Sequence, residues 1–225
     1  MRDDLTTIPI SEIFEKTEGC PICRLRAEVE SRTVEFILGG AMMEPDVRIS
    51  TNKKGFCSTH FSQMLERKNK LAVALMIDSH LAEIDEKLLI PGGFLKKSVS
   101  ARFPLAREIT EDCFICERVQ NSMSHLLDIM VRTYAKEADF RKLYENQPMM
   151  CLPHYHAVCE AAKTLNKKES EKLINATAEV TRKGLTELRN DVAWFCQKHD
   201  YRNATADWGN SKDAVERAVR FLTSR

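Results

Sequence analysis

Apolar positions along the chain recur at helical spacing. Between Cys116 and Ala135, the residues Val119, Met123, Leu126, Leu127, Met130 and Tyr134 fall at i, i+3, i+4 and i+7 intervals, the stripe of an amphipathic helix. From Cys23 to Ala41 no proline intervenes, and Ala27, Val34, Ile37, Leu38 and Ala41 share one broad face. Helix-compatible runs follow His60 and His154, the second with a break expected near Asn166–Lys168. From Lys168 to Gln197 a long helix would turn Leu173, Val180, Leu185, Leu188, Val192 and Phe195 to the core, with Gly184 as a weak point in its propensity. A final helix, capped by Asn210 or Ser211, would turn Ala214, Val215, Ala218, Val219 and Leu222 inward. No alternating run is bounded by Asn-Gly turns, so the expected fold class is all-α.

The pattern is written twice. Cys20 and Cys23 recur as Cys113 and Cys116, and EPDVR at 44–48 recurs as EADFR at 137–141, both at an offset of 93. After one extra residue, FCSTHF at 56–61 recurs as MCLPHY at 150–155. An internal repeat is the simplest account. The expected organisation is a first unit over 1–90, a linker over 91–108, a second unit over 109–165, and a C-terminal helical extension over 166–225. Pro91, Gly92, Gly93 and Pro104 are read as helix breakers. The basic residues between them suit a solvated linker better than a docking patch for an acidic partner.

Each copy reads Cys-x2-Cys, then Cys-x2-His some 33 or 34 residues on. Three thiolates and an imidazole are a common closed ligand set for tetrahedral zinc. The expected sites are Cys20, Cys23, Cys57 and His60 for one ion, and Cys113, Cys116, Cys151 and His154 for another. Geometry suits this: a helix of about 20 residues runs about 30 Å outward, and the segment after it must return. A residue pair three apart on a first helical turn presents both side chains to one side. The rival cofactor is an iron–sulfur cluster, which also takes Cys-rich sets. A redox dithiol needs no remote Cys-x2-His, although oxidation that expels a metal is a hybrid of the two readings. Four protein ligands leave no open position for catalysis, so no residue is assigned a catalytic role.

Composition narrows the class further. The net charge of +1 argues against a broad nucleic-acid-binding face. MRDDLTTIPI lacks a signal-peptide pattern, and LAVALMI at 71–77 is too short to span a bilayer. A cytoplasmic protein is expected, and there eight cysteines point to metal or redox work rather than disulfides. His156 is expected at the surface, His80 and His125 as ordinary histidines, and Cys159 and Cys196 as small buried hydrophobes. The acids of EPDVR and EADFR suit helix starts paired with Arg48 and Arg141, with a carboxylate partner for His60 or His154 as the alternative. The segment His199–Trp208 reads as a loop held by aromatic and polar contacts, with an enzymatic ligand site as the rival.

CPICR at 20–24, GFCSTH at 55–60, CFICE at 113–117, the Cys-x2-His at 151–154 and HDYR…WGNSKDAVERAV at the end together resemble an uncharacterised bacterial family, catalogued as a domain of unknown function. The resemblance covers most of the chain and implies a mainly helical cytoplasmic protein, with no activity to carry over. The second copy departs from it in lacking the Gly55-Phe56 that precedes Cys57. The expectation is therefore a zinc-binding helical scaffold, two ions per chain, whose surfaces bind another protein. No Walker loop, dinucleotide fingerprint, nucleophile elbow or HExxH is present.

Overall fold

The computed structural model describes residues 10–89 and 99–224, with the backbone alone for 99–102. Among these residues every regular element is helical. They are α1 (Ile10–Glu15), α2 (Pro21–Leu38), α3 (Pro45–Lys54), α4 (Ser58–Glu66), α5 (Lys70–Ile84), α6 (Val99–Glu111), α7 (Phe114–Lys136), α8 (Ala138–Glu145), α9 (Leu152–Ala162), α10 (Lys167–Lys198) and α11 (Ala214–Thr223). None is long and apolar enough to cross a membrane.

Local chemistry sets many of the boundaries. Pro21 opens α2 and Pro45 opens α3, where the missing N–H costs nothing. Asn69 caps α5 by accepting from the Ala72 N–H at 3.2 Å. Asn166 caps α10 by accepting from the Glu169 N–H at 3.0 Å, which accounts for the break expected near 166–168. Gly55 closes α3 at φ +61°, a left-handed backbone that glycine adopts without strain.

Two compact units form. One is Met1–Ala27 with Met123–Arg225, and the other is Glu28–Ser122. In the first, α10 packs on α8, α9 and α11, and α1 packs on α8. Its core holds an aromatic cluster. Phe14 lies 5.1 Å from Phe140 and 5.5 Å from Tyr144, and Tyr134 lies 5.1 Å from Tyr144. The Tyr144 hydroxyl shares a hydrogen bond with Thr177 at 2.8 Å, so its one polar atom is satisfied in the interior. In the second unit α3 packs on α5 and α6, and α4 on α5, around the buried Val34, Ile37, Met64, Val73, Met76 and Ile115. Both unit limits fall inside α2 and α7, which are continuous through them.

Several expectations change. The expected division at 91 and 109 does not describe the compact units, because each unit combines segments from both copies. Residues 91–98 of the expected linker lie outside the described residues. From Val99 the chain is helical, and Pro104 sits inside α6. Proline's fixed φ suits a helix, so the chain forfeits one bond to the carbonyl of residue 100 rather than ending there. In α11 the inward residues are Ala214 and Phe221, while Val215, Val219 and Leu222 are exposed. The short helix presents a narrower buried face than a broad stripe assumes, filled by Ala214 and Phe221. Its N-cap is Asp213, because Asn210 and Ser211 belong to a preceding 3-10 turn. Leu185 is exposed, whereas Leu188 is buried.

Candidate metal centres

All four motif halves stand at helix starts. Cys20 and Cys113 immediately precede α2 and α7, and Cys23 and Cys116 fall in their first turns. Cys57 and Cys151 are the N-cap residues of α4 and α9, with nearly identical backbone angles (φ −73°, ψ 164° and φ −72°, ψ 157°). His60 and His154 follow on the first turn. The positive ends of four helix dipoles thus face the thiol groups, which favours thiolates.

The eight residues converge as two clusters, but not as the linear copies pair them. Cys20 and Cys23 meet Cys151 and His154, and Cys113 and Cys116 meet Cys57 and His60. Each Cys-x2-Cys takes the Cys-x2-His of the other copy, and each cluster lies within one compact unit. The expected four-ligand sets are therefore corrected by exchange, while all eight ligand-type residues are used.

The dimensions fit a tetrahedral ion. In the first cluster, the His154 Nδ1 lies 3.6 Å from Cys20 Sγ, 3.3 Å from Cys23 Sγ and 3.0 Å from Cys151 Sγ, with Cys23 Sγ 3.6 Å from Cys151 Sγ. In the second, the His60 Nδ1 lies 3.2 Å from Cys57 Sγ, 3.3 Å from Cys113 Sγ and 3.4 Å from Cys116 Sγ, with Cys57 Sγ 3.8 Å from Cys116 Sγ. Bonds of about 2.3 Å to sulfur and about 2.0 Å to nitrogen give tetrahedral edges of roughly 3.8 Å between sulfurs and 3.5 Å between sulfur and nitrogen. All eight cysteines are free thiols.

Electrostatics favours a cation in each cluster. Burial pushes the Cys113 thiol up, but the hydrogen bonds from His60 and the Cys116 N–H outweigh it and leave Cys113 at about 6. Burial and the neighbouring Cys113 push Cys116 up to about 12. Hydrogen bonds to Cys113 and Glu30 overcome burial and raise His60 to about 10. In the first cluster the hydrogen bond with Cys151 holds Cys20 low and Cys23 high. Three sulfurs this close do not all ionise on their own. A divalent ion removes that repulsion and displaces the remaining protons.

The surroundings of the two clusters differ. Glu30 Oε1 accepts from His60 Nε2 at 2.8 Å, orienting the ring with Nδ1 toward the sulfurs. This carboxylate comes from α2 rather than from EPDVR. Glu44 and Glu137 are the N-cap residues of α3 and α8, although neither makes a side-chain cap bond. Arg48 and Arg141 donate to backbone carbonyls, of Leu75 and of Tyr134 and Ala135, instead of to those acids. Sequence reading missed Glu30 because its equivalent at the repeat offset is Met123, so the copies do not mark it jointly.

Polar ties beside the sites agree with the exchanged pairing. Arg24, just after the first Cys-x2-Cys, donates to Gln147 Oε1 at 3.0 Å, and the buried Gln147 donates to the Phe14 carbonyl at 2.6 Å. Glu117, just after the second, pairs with Lys54. Had each copy closed on itself, Arg24 would have faced Lys54, a like-charge contact. The opposite signs at residues 24 and 117 are the one sequence signal that could have revealed the exchange.

Glycines also adapt each site to its sequence. Gly55 lies under the His80 ring, where a Cβ would collide with Nε2. In the other copy Met149 takes the place of Gly55, and Gly184 of α10 supplies the room, since a Cβ there would strike the Met149 Cβ. The departure from Gly-Phe is matched by a glycine on the opposing helix.

The chain belongs to the family of unknown function DUF6062, whose model matches residues 1–225. Searches of curated proteins and of solved structures found no match.

The remaining candidates stay outside both clusters. His156 and His125 are exposed, and His80 Nδ1 bonds the Asn52 carbonyl at 2.6 Å. Cys196 is exposed and Cys159 part-exposed, so neither is the buried hydrophobe expected. Around His199–Trp208 several polar contacts hold the loop. The buried Lys198 ammonium donates to the carbonyls of Asn203, Ala204 and Ala206 at 2.6, 3.1 and 2.6 Å and lies 5.2 Å from the Trp208 ring. Trp194 Nε1 donates to the Asp207 carbonyl at 3.0 Å.

Proposed function

We propose that this protein is a zinc-binding helical scaffold with one structural Cys3His site in each compact unit, acting in the cytoplasm by binding another protein. The carrying observation is two closed four-ligand clusters, each joining a helix-start Cys-x2-Cys to a helix-start Cys-x2-His from a remote segment. Sulfur-rich sets of this size favour zinc over the harder divalent ions. With four protein ligands per ion no position is left for substrate, which supports a structural rather than a catalytic role. Eight free thiols suit a reducing compartment. The protein-binding part draws support from the exposed Val215, Val219 and Leu222, spaced along one side of α11.

Elemental analysis of protein purified anaerobically without added metal tests the reading. Near two zinc per chain is the expected result. Iron with matching sulfide would replace the scaffold with an electron-transfer or redox-sensing protein. Affinity capture with the intact chain and with a Val219→Asp variant tests the partner claim: a specific protein lost in the variant supports it, and none above background removes it.

A further inference from the structure

The two clusters differ in access, and this points to different roles. In the first cluster Cys20 and Cys151 are buried and Cys23 is half-buried. Its histidine helix, α9, packs against α10 and α11. In the second cluster Cys116 is exposed, Cys57 is half-buried, and only Cys113 is buried among the sulfurs. Cys116 occupies the place in its copy that Cys23 occupies in the other. The copies therefore present equivalent ligands to different surroundings.

We propose that the Cys57–His60–Cys113–Cys116 site is a peroxide-sensitive metal site, whereas the Cys20–Cys23–Cys151–His154 site is a permanent clip. This rests on both clusters holding metal, as proposed above. Among the ligand sulfurs, hydrogen peroxide reaches Cys116 first. The Cys116 sulfur attacks one peroxide oxygen, the O–O bond breaks, and hydroxide leaves as water after protonation. Cys57, with its sulfur 3.8 Å away, then attacks the sulfenic sulfur. An S–S bond forms, the S–O bond breaks, and a second hydroxide leaves as water. Two thiolates thus give two electrons to one peroxide, and two solvent protons complete the two waters. The metal keeps its charge. It is left with Cys113 and His60, too few ligands to retain it, and leaves as a divalent cation.

A sulfur pair at similar separation exists in the first cluster, where Cys23 and Cys151 lie 3.6 Å apart. Proximity therefore does not separate the sites, and access does: Cys151 is buried and Cys116 is exposed. Oxidation is selective for thiolates that are both ionised and exposed. After release, the hydrogen bond between His60 and Glu30 persists and keeps the ring in place for reloading once the disulfide is reduced.

The test titrates the metal-loaded full chain with hydrogen peroxide, following released metal with a chromogenic chelator and mapping disulfides by peptide mass spectrometry. One of the two metals should leave about ten-fold faster than the other, together with a Cys57–Cys116 disulfide. Brief alkylation of the unmutated metal-loaded protein should mark Cys116 before Cys23, a readout that needs no variant. Simultaneous loss of both metals, a Cys23–Cys151 disulfide forming first, or retention of both metals at large peroxide excess would each overturn the proposal. Protein that contains no metal when isolated would instead refute the scaffold reading beneath it.

Discussion

At the scale of single residues, the pairing of ligands makes a prediction that the linear copies alone would not. Cys20→Ser and Cys151→Ser should each empty the same site, and the double variant should lose no more metal than either single one. Cys20→Ser and Cys57→Ser should instead add, removing both metals; elemental analysis of the three single and two double variants checks this. Glu30→Gln should weaken metal binding at the Cys57 site by roughly 10–100-fold and leave the other site unchanged, as competition with a calibrated chelator would show. Glu30 matters because a ligand histidine is held in orientation through its second nitrogen. Gly184→Ala should destabilise the protein by about 1–3 kcal/mol in urea denaturation, since α10 approaches Met149 too closely for a Cβ. The reason for Gly184 was not legible in its own helix: glycine there looked only like a propensity cost, and the benefit lies on a segment 35 residues earlier.

At the scale of elements, helix starts carry the chemistry. A Cys-x2-His whose cysteine is the N-cap puts thiolate and imidazole on one turn, and two such starts with two Cys-x2-Cys starts build both sites. The helices themselves were readable from period and punctuation. α7, α10 and the break at Asn166 follow from apolar spacing and a side-chain cap. The inward face of α11 was not readable, because its apolar residues form one broad face, of which only the part carrying Ala214 and Phe221 is buried. The tail loop is an element held by one cation. Lys198→Met should cost about 2 kcal/mol, because three carbonyls lose a charged donor, and native-state hydrogen exchange should rise first across residues 199–208. A Lys198→Arg variant that behaves like wild type would show that charge alone suffices; a loss equal to that of methionine would show that the compact ammonium is required.

At the scale of the whole molecule, each compact unit contains one candidate centre, so metal and fold are linked in both. Apparent binding free energies of about 10–16 kcal/mol for structural zinc rival the roughly 5–15 kcal/mol that holds an entire domain together. Removing metal with a strong chelator should therefore collapse much of the helical circular dichroism and expose all eight thiols to a colorimetric reagent. Acid should act the same way. At neutral pH the metal-free Cys116, raised to about 12, and His60, raised to about 10, both hold protons that metal must displace. Affinity at that site should rise with pH and fall on acidification, read as a positive slope of log K against pH. Sequence alone determined the helical class, the doubled motif and the eight ligand-type residues, because helical period and ligand spacing are local properties. Tertiary structure alone decided which Cys-x2-Cys meets which Cys-x2-His, which carboxylate orients His60, why residue 184 is glycine and which cluster faces solvent. These are contacts between segments far apart in the chain, and identical motifs present identical ligands to either partner. The choice falls to neighbours such as Arg24, Gln147, Lys54 and Glu117, whose charges and hydrogen-bonding groups distinguish one approach from the other.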